Sequence, residues 1–205
     1  DNTEVGRLMA ESMLENIPDG GDIFLIQGPL TDNNVSLIRE GIDETLAGSN
    51  LNVVYEANCP GWIAENAYTY TKEGLKLDRN VKGIICGNDD LASQAFRALS
   101  EERLAGKVCV TGQDGDLAAC QRIVEETQEM TAFKSVEQEA SLAAKCAVLL
   151  GLGEEIEEVQ DTAYDGTYNV PYLELQPIAV TKENMDEVII KGGFHAKEDV
   201  YLNVN

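Results

Sequence analysis

The sequence predicts an α/β protein built on a doubly wound parallel sheet. Short β-rich apolar runs alternate with longer amphipathic stretches through the first two thirds of the 205 residues. Strands that alternate with helices in this way form parallel βαβ units. Because their crossovers are nearly always right-handed, helices are expected on both faces of the sheet. The chain is 43% hydrophobic, which is enough for a buried core.

Five apolar runs between turn-forming residues have the length and composition of buried strands. They are Ile23–Ile26, Val53–Tyr55, Gly83–Cys86, Val108–Thr111 and Met130–Phe133. A helix is predicted before the first strand, because apolar residues from Val5 to Ile17 recur at helical spacing and Pro-Asp-Gly-Gly follows. Four crossover helices are predicted from the apolar stripes Val35/Ile38/Ile42/Leu46, Ala64/Ala67/Tyr68/Leu75, Leu91/Ala95/Leu99 and Leu117/Cys120/Val124.

The pattern changes after Lys134. A long, Ala-rich helix is predicted over Val136–Leu150, and its apolar residues cover so wide an arc that contact on more than one side is expected. The remainder is predicted as an acidic loop over Gly151–Gly166, an extended segment over Tyr172–Val180 and a last helix over Lys182–Ile190. The chain therefore divides into a lobe (1–135), a helix with its loop (136–165) and a returning tail (166–205).

Composition limits the classes of partner. A formal net charge of −22 repels phosphate backbones and anionic lipid surfaces, so nucleic acid is not an expected partner. The longest candidate for a membrane-spanning helix, Ala140–Leu152, is interrupted by Lys145 and is shorter than the roughly 18 residues that such a helix requires. No charged-then-apolar leader stands at Asp1, so a secretion signal is expected to be absent or already removed.

The five cysteines form no C-x-x-C pair, and their odd number argues against a complete disulfide framework. The chain's single histidine, His195, is distant in sequence from all of them. Buried free thiols are therefore predicted, and neither a metal site nor a cofactor is expected.

Polar and aromatic residues follow each predicted strand. They include Asp32 with Asn33 and Asn34, Trp62, Asn88, Asp114 and Lys134. In open parallel sheets ligands bind outside the carboxyl ends of the strands, where these residues would converge. Carboxylates accept from sugar hydroxyls, an ammonium group donates to them and amides do both, while an indole ring can stack on the apolar face of a pyranose. The set predicts a sugar-binding crevice.

Each residue also has a simpler explanation. Asp32, Asn88 and Asp114 stand where helix N-caps would stand, Trp62 could anchor a loop, and Lys134 could be solvated. Five successive strand ends with polar or aromatic groups favour the crevice over these separate explanations. No nucleophile elbow, P-loop or dinucleotide motif is present, and acids at the start of a helix, such as Asp114 and Asp116, usually serve its N-terminus, so binding rather than catalysis is predicted.

At these residues the chain resembles the D-xylose-binding proteins of bacterial ABC transporters, in the type I periplasmic binding protein superfamily. The likeness covers almost the whole chain. The matching segments are DNTEVG, PLTDNN, GWIAENA, GNDDLASQAFRAL, LAGKVCVTGQDGDLAACQRI, TQEMTAFK and PIAVTKENMDEVIIKGGFH.

The resemblance implies a Rossmann-like lobe that holds a monosaccharide in a cleft between two lobes. It implies sugar contacts at Asp32, Asn34, Trp62, Asn88, Asp114 and Lys134, and it favours Asn34 over Asn33 as the amide. It also implies that this chain is the C-terminal lobe with its tail and that the N-terminal lobe is missing. The helix over Val136–Leu150 would pack on that lobe in relatives, so here it is expected to pair with another chain, fold back onto this lobe or swap in a dimer.

The function that the resemblance implies is the capture of a sugar, D-xylose first, for a membrane permease. The location it implies is the periplasm or the extracellular face, with a lipoprotein anchor as one alternative. A sugar-sensing partner of a membrane histidine kinase would use the same lobe. The ligand domain of a transcriptional repressor shares the fold but would need a DNA-reading helix-turn-helix before the lobes.

Overall fold

The computed structural model describes residues 1–157, 159 and 161–204. Its core is a six-stranded sheet with the strand order β2-β1-β3-β4-β5-β8, and β6 and β7 form a separate two-stranded antiparallel sheet. The strands are β1 (Gly21–Gln27), β2 (Leu51–Asn58), β3 (Gly83–Cys86), β4 (Cys109–Gln113), β5 (Met130–Phe133), β6 (Asp161–Tyr164), β7 (Asn169–Tyr172) and β8 (Ile178–Val180). The first five pair in parallel and β8 closes the edge antiparallel to β5.

Helices cover both faces of the sheet, which confirms the predicted doubly wound α/β fold. The helices are α1 (Asn2–Asn16), α2 (Asn33–Leu46), α3 (Glu65–Leu77), α4 (Asp89–Glu101), α5 (Leu117–Val124), α6 (Val136–Leu152) and α7 (Lys197–Val200). Because successive side chains of a strand point to opposite faces, Ile23 and Leu25 pack with α1 and α2, whereas Phe24 and Ile26 pack with α3 and α4. The five parallel strands lie where they were predicted, although β2 and β4 extend further toward their carboxyl ends.

The direction of α1 brings its first turn to the carboxyl edge of the sheet. The helix joins β1 through residues 17–20 alone and packs against the sheet with Met9 and Met13, so it runs opposite to β1. Asp1 caps the helix, because its Oδ1 accepts from the amide of Glu4 at 2.9 Å. Residues at the start of α1 therefore lie beside the loops that follow the parallel strands.

The acidic loop predicted over Gly151–Gly166 is wrong in two places. Helix α6 continues to Leu152 and ends at Gly153, whose φ of 75° is the left-handed conformation that glycine favours at a helix end. Gly151 lies inside the helix, so the first glycine of the pair was mistaken for its end. Strand β6 occupies part of the predicted loop because it pairs with β7, a contact that the local sequence does not reveal. Glu158 and Gln160, also in this predicted loop, lie outside the described residues.

The last helix predicted over Lys182–Ile190 forms only in its second half. Residues 182–184 form a turn, and helical structure begins at Met185 and continues through Asp186–Ile190 with a π-type hydrogen-bond pattern. The Asn184 side chain explains the turn, because it accepts from the amide of Thr181 and donates to the carbonyl of Ala179, both at 2.8 Å. Helix α7, beyond Gly192 and Gly193, was not predicted.

The extended segment predicted over Tyr172–Val180 is only partly a strand. Strand β7 ends at Tyr172 and β8 begins at Ile178, so residues 173–177 lie in no strand. Pro177 stands immediately before the edge strand, where its missing amide hydrogen removes no bond from the ladder.

No residue of α6 is buried, although the helix carries an Ala- and Leu-rich surface. Val148, Leu150 and Leu152 are 61%, 65% and 69% exposed. The expectation that the helix folds back onto this lobe is therefore wrong, while its pairing with another lobe or chain stays a prediction, as does the division of the chain into segments. Within the described residues, no helix is long and apolar enough to cross a membrane.

Four of the five cysteines are buried, as predicted, and all five are free thiols. Burial raises the pKa of Cys59 to about 11 and that of Cys120 to about 12. Burial also raises the pKa of Cys86 and Cys109. Cys146, on α6, is only partly buried. The described part of the chain contains no group of three or more His, Cys, Asp or Glu side chains that could hold a metal ion.

Candidate functional site

The six side chains predicted to bind a ligand lie at the carboxyl ends of the parallel strands. Asn34, Asp114 and Lys134 line a groove of about 830 Å³ whose far side is formed by α6 and residues 172–176. Asp32, Trp62 and Asn88 lie outside this groove, after β1, β2 and β3. The amide of Asn34 joins the two groups, because it donates to Asp32 Oδ1 at 2.9 Å.

Trp62 and Asp32 are bonded to each other across two loops. The indole Nε1 donates to Asp32 Oδ2 at 3.0 Å, while Asp32 Oδ1 caps α2 through the amide of Asn34. The aspartate therefore fills the N-cap role considered from the sequence and also orients the tryptophan. The capping and ligand-contact explanations were posed as alternatives, and the geometry allows both for the same side chain.

The Trp62 ring lies on two glycines. A Cβ atom at Gly28 would stand 2.3 Å from the indole Cζ2, and one at Gly87 would stand 3.2 Å from Cζ3. Gly28 follows β1 and Gly87 follows β3, so the ring covers the ends of two adjacent strands. Trp62 itself has a φ of 58°, an uncommon value for a bulky residue. The strained backbone of Trp62 directs the ring to this edge, and the lack of side chains at Gly28 and Gly87 leaves room for it.

Asn88 caps α4 with its oxygen, which accepts from the amide of Leu91 at 2.9 Å. Its Nδ2 group makes no hydrogen bond with the described part of the chain. The cap fixes the side chain in one orientation and leaves two N–H donors for another partner. The preceding Gly87 continues the ladder, because its amide donates to the Ile26 carbonyl at 2.7 Å.

Asp114 and Lys134 come from adjacent strand ends and form an ion pair. Lys134 Nζ lies 3.7 Å from Asp114 Oδ1, with the two side chains 35% and 43% exposed. The amide of Asp114 donates to the Ala132 carbonyl at 3.0 Å, which extends the pairing of β4 and β5 by one residue. Asp114 does not cap α5, because the N-cap position belongs to Asp116. The capping explanation for Asp114 is therefore wrong.

Burial sets the protonation behaviour of these acids. Burial raises the pKa of Asp114, the Lys134 ammonium lowers it, and Asp90 raises it. Burial also raises the pKa of Asp116, with Asp90 and Asp114 adding to the increase. Among the described side chains, the site combines several carboxylates with the ammonium group of Lys134, and such a set accepts from hydroxyl groups more readily than it binds an anion.

Asn2 is a site residue that the sequence reasoning missed. Its Nδ2 donates to Asn34 Oδ1 at 2.9 Å, and its Oδ1 accepts from Lys134 Nζ at 3.4 Å. One side-chain amide thus links the first turn of α2 to the residue after β5. The direction of α1 could have indicated it, because a helix that precedes the first parallel strand must begin at the carboxyl edge.

Comparison with known proteins extends the description. Residues 1–155 match the family model described as a periplasmic binding protein domain. The chain is 41% identical over 206 residues to the D-xylose-binding periplasmic protein of Haemophilus influenzae, which covers 98% of this chain and 61% of that protein. It is 37% identical over 205 residues to the D-xylose-binding periplasmic protein of Escherichia coli, with 98% and 62% covered. These relatives are binding proteins, and the chain spans about three fifths of their length.

A solved structure gives the same architecture. The crystal structure of an ABC transporter periplasmic solute-binding protein from Actinobacillus succinogenes 130z, with bound D-allose, superposes with a TM-score of 0.77 at 25% identity. The match covers 90% of this chain and 61% of that protein. The fold of this chain is therefore shared with a protein whose structure contains a bound sugar.

Proposed function

Since this chain belongs to the periplasmic binding protein family, we propose that it is one lobe of a monosaccharide-binding protein, with D-xylose as the first candidate ligand. The observation that carries the proposal is the connected row of residues at the strand ends. Each residue of the row contacts the next at 2.9 to 3.7 Å, in the order Asp114, Lys134, Asn2, Asn34, Asp32 and Trp62. The names of the two curated relatives support D-xylose.

Each side chain has a distinct role in this proposal. The Trp62 ring stacks on the C–H face of the sugar. Asp32 and Asp114 accept from hydroxyl groups, and Asn34 and Asn88 both donate and accept. Lys134 donates to a hydroxyl or to the ring oxygen. Hydrogen bonds that involve the charged groups contribute roughly 1.5–3 kcal/mol each. No group in this assignment has to form or break a covalent bond, so the protein binds its ligand without reaction.

A second lobe completes the site. The chain spans 61% of the Haemophilus influenzae relative, and the apolar residues of α6 stand exposed beside the groove. We place the missing N-terminal lobe, or a swapped second chain, on α6. Closure of the two lobes removes water from the sugar, so one lobe alone binds weakly. The two-lobed protein works in the periplasm or at the extracellular face, where it delivers the sugar to an ABC permease.

Isothermal titration calorimetry on the two-lobed protein tests the proposal. D-xylose, D-glucose, D-galactose and D-ribose are titrated in parallel, and D-xylose is expected to bind most tightly. Trp62→Ala should weaken binding about tenfold, since loss of the indole removes its buried apolar area together with a ring contact of the kind worth about 0.5–1.5 kcal/mol between aromatic groups. Leu77→Ala, an exposed change at the end of α3, is the control. Absence of heat with every aldose would refute the sugar-binding function.

A further inference from the structure

A fully buried carboxylate lies directly behind the proposed ligand residues. Asp89, the first residue of α4, is 0% exposed. Its Oδ2 accepts from the amides of Gly115 and Asp116, both at 3.0 Å, and from Thr131 Oγ1 at 2.7 Å. Its Oδ1 accepts from Gln128 Nε2 at 3.0 Å. Four donors from β5 and from the loops on either side of α5 converge on one side chain.

The loop that Asp89 holds carries a proposed sugar ligand in an unusual conformation. Asp114 has a φ of 100° and Gly115 a φ of 74°, so two successive residues are left-handed. A non-glycine residue keeps such a conformation only when its surroundings determine it. The two amides after Asp114 are the ones bonded to Asp89, and they supply that constraint. Gly112 makes room for the carboxylate, because a Cβ there would stand 2.3 Å from Asp89 Oδ1.

The same loop is held from its other side by the tail. His195 Nε2 lies 2.8 Å from the Gly115 carbonyl oxygen, and Cys120 Sγ donates to that oxygen at 3.5 Å. The Gly115 amide has a second acceptor in Thr131 Oγ1 at 3.1 Å. Both polar groups of the Gly115 backbone are therefore hydrogen-bonded, and the Asp89 carboxylate is one acceptor of its amide.

We propose that Asp89 is a positioning residue, which holds the turn at 113–116 so that Asp114 is presented to the ligand. The carboxylate does not touch the ligand and acts through the backbone of Gly115 and Asp116. The effect of Asp89 on sugar binding rests on the proposed function. Its role in fixing the turn at 113–116 is independent of that function.

Ionisation of Asp89 should govern how well the turn is held. Burial raises its pKa to about 7, against the lowering effect of its hydrogen bonds. The titratable groups around it are Cys86 of β3, Asp116 of the held loop, and Cys120 and Arg122 of α5. Two of its donors are backbone amides that cannot become acceptors, so protonation of the carboxyl weakens the hydrogen bonds that fix the turn. Sugar binding favours the ionised form, and affinity falls as the pH drops through about 7.

Amide hydrogen exchange measured by NMR on the full chain tests the loop without any ligand. In Asp89→Asn the amides of Gly115 and Asp116 should exchange at least about tenfold faster, while core amides such as Ile85 are unchanged. Asp90→Asn removes one charge from the adjacent, exposed position and should leave these amides as they are. Thr131→Val keeps the carboxylate but removes one of its donors, and it also removes the direct bond from the Gly115 amide to Thr131 Oγ1. The Asp116 amide is therefore the readout in this variant. It should show a smaller change in the same direction, and it serves if Asp89→Asn does not fold.

Calorimetry on the two-lobed protein tests the consequence for the ligand. The wild type should bind D-xylose more weakly at pH 6 than at pH 8 and release protons on binding near pH 7, which appears as a dependence of the enthalpy on the buffer. In Asp89→Asn the affinity should fall by about tenfold at pH 8, in line with the loss of a charged hydrogen-bond acceptor, and the proton release should decrease. A residue that only filled space would not alter the proton count.

The outcomes separate the two proposals. Unchanged amide exchange of Gly115 and Asp116 in folded Asp89→Asn would overturn the positioning role, regardless of the sugar affinity of that variant. Faster exchange with unchanged affinity and unchanged proton release would overturn its connection to the ligand. Faster exchange in Asp89→Asn, together with a wild-type protein that binds no aldose, would support the fixed loop and refute the sugar-binding function.

Discussion

The indole nitrogen of Trp62 donates to Asp32 at 3.0 Å, so residues that follow two different strands hold each other in place. The same aspartate caps α2. A change at either residue therefore affects the proposed stacking surface and the hydrogen-bonding group together. Energies of the two substitutions should not add, as is usual for side chains in contact.

Asp32→Ala should destabilise the protein by about 1 kcal/mol, because α2 loses its cap. It should also release the indole and shift its emission to longer wavelength. The chain has one tryptophan, so emission reports on Trp62 alone. Urea unfolding followed by circular dichroism gives the stability. Asp32→Asn is the matched control, because asparagine caps as well as aspartate, and an equal loss in both variants would contradict the capping explanation.

Gly28→Ala should displace the Trp62 ring, since the new Cβ would stand 2.3 Å from Cζ2. We expect a changed emission spectrum and at least about tenfold weaker sugar binding in the two-lobed protein, as the stacking contact is lost. Gly151→Ala, where a Cβ meets nothing within 4 Å, is the control and should stabilise α6 by up to about 1 kcal/mol. An unaltered emission spectrum in Gly28→Ala would show that the ring does not depend on this glycine.

Lys134→Ala should raise the pKa of Asp114. Burial already raises this pKa, and the Lys134 ammonium opposes the increase. Removal of the cation leaves burial and Asp90 to act alone, so the carboxyl gains its proton at a higher pH. A titration of the Asp114 carboxyl carbon by NMR measures the change. Lys182→Ala removes an ammonium group that is paired with Glu126 instead, and an equal shift in that variant would exclude a local effect of Lys134.

The exposed surface of α6 should make the 205-residue chain associate. Val148 and Leu150 are 61% and 65% exposed, an arrangement typical of interfaces. Sedimentation velocity should show dimers or larger species, and Val148→Glu with Leu150→Glu should reduce them. Leu77→Glu, at a residue 73% exposed elsewhere, should have little effect. A monodisperse wild-type monomer would contradict the pairing of α6 with another chain.

Thiol reactivity offers an independent probe of the same surface. Cys146 lies on α6 and is partly buried, whereas burial protects the other four cysteines and raises their pKa. One thiol of this chain should therefore react quickly with a disulfide reagent at pH 8, and Cys146→Ser should abolish that phase. In the two-lobed protein the fast phase should slow, because the second lobe covers α6. A fast phase that survives Cys146→Ser would indicate local opening of the sheet.

The periodicity of the sequence predicted the sheet because each parallel strand is a continuous apolar run. Strand β3, with all four residues buried, was placed without error for this reason. The tail was predicted poorly because its structure depends on side-chain bonds and cross-strand pairs. Asn184 sets the turn that shortens the last predicted helix, and β6 forms only because β7 lies beside it.

The sequence predicted those residues of the candidate site that directly follow a strand, because strand ends can be recognised from the apolar runs. Asn2 was missed because it lies at the start of a helix, and its place at the groove follows from the direction of α1. Asp89 was missed because a buried acid next to Asn88 resembles an ordinary first-turn residue. Its partners lie 26 to 42 residues further along the chain, and no local pattern connects them.

The order of the strands explains why there is space for the Trp62 ring. From β1 the chain continues outward to β2 through α2 on one face, and from β3 it continues the opposite way to β4 through α4 on the other face. The two connections leave neighbouring strands in opposite directions, and their divergence opens a cleft at the seam between β1 and β3. Gly28 and Gly87 stand on either side of that seam. The space that the Trp62 ring occupies therefore results from the opposite directions of the two strand connections, and the lack of a side chain at each glycine leaves that space unfilled.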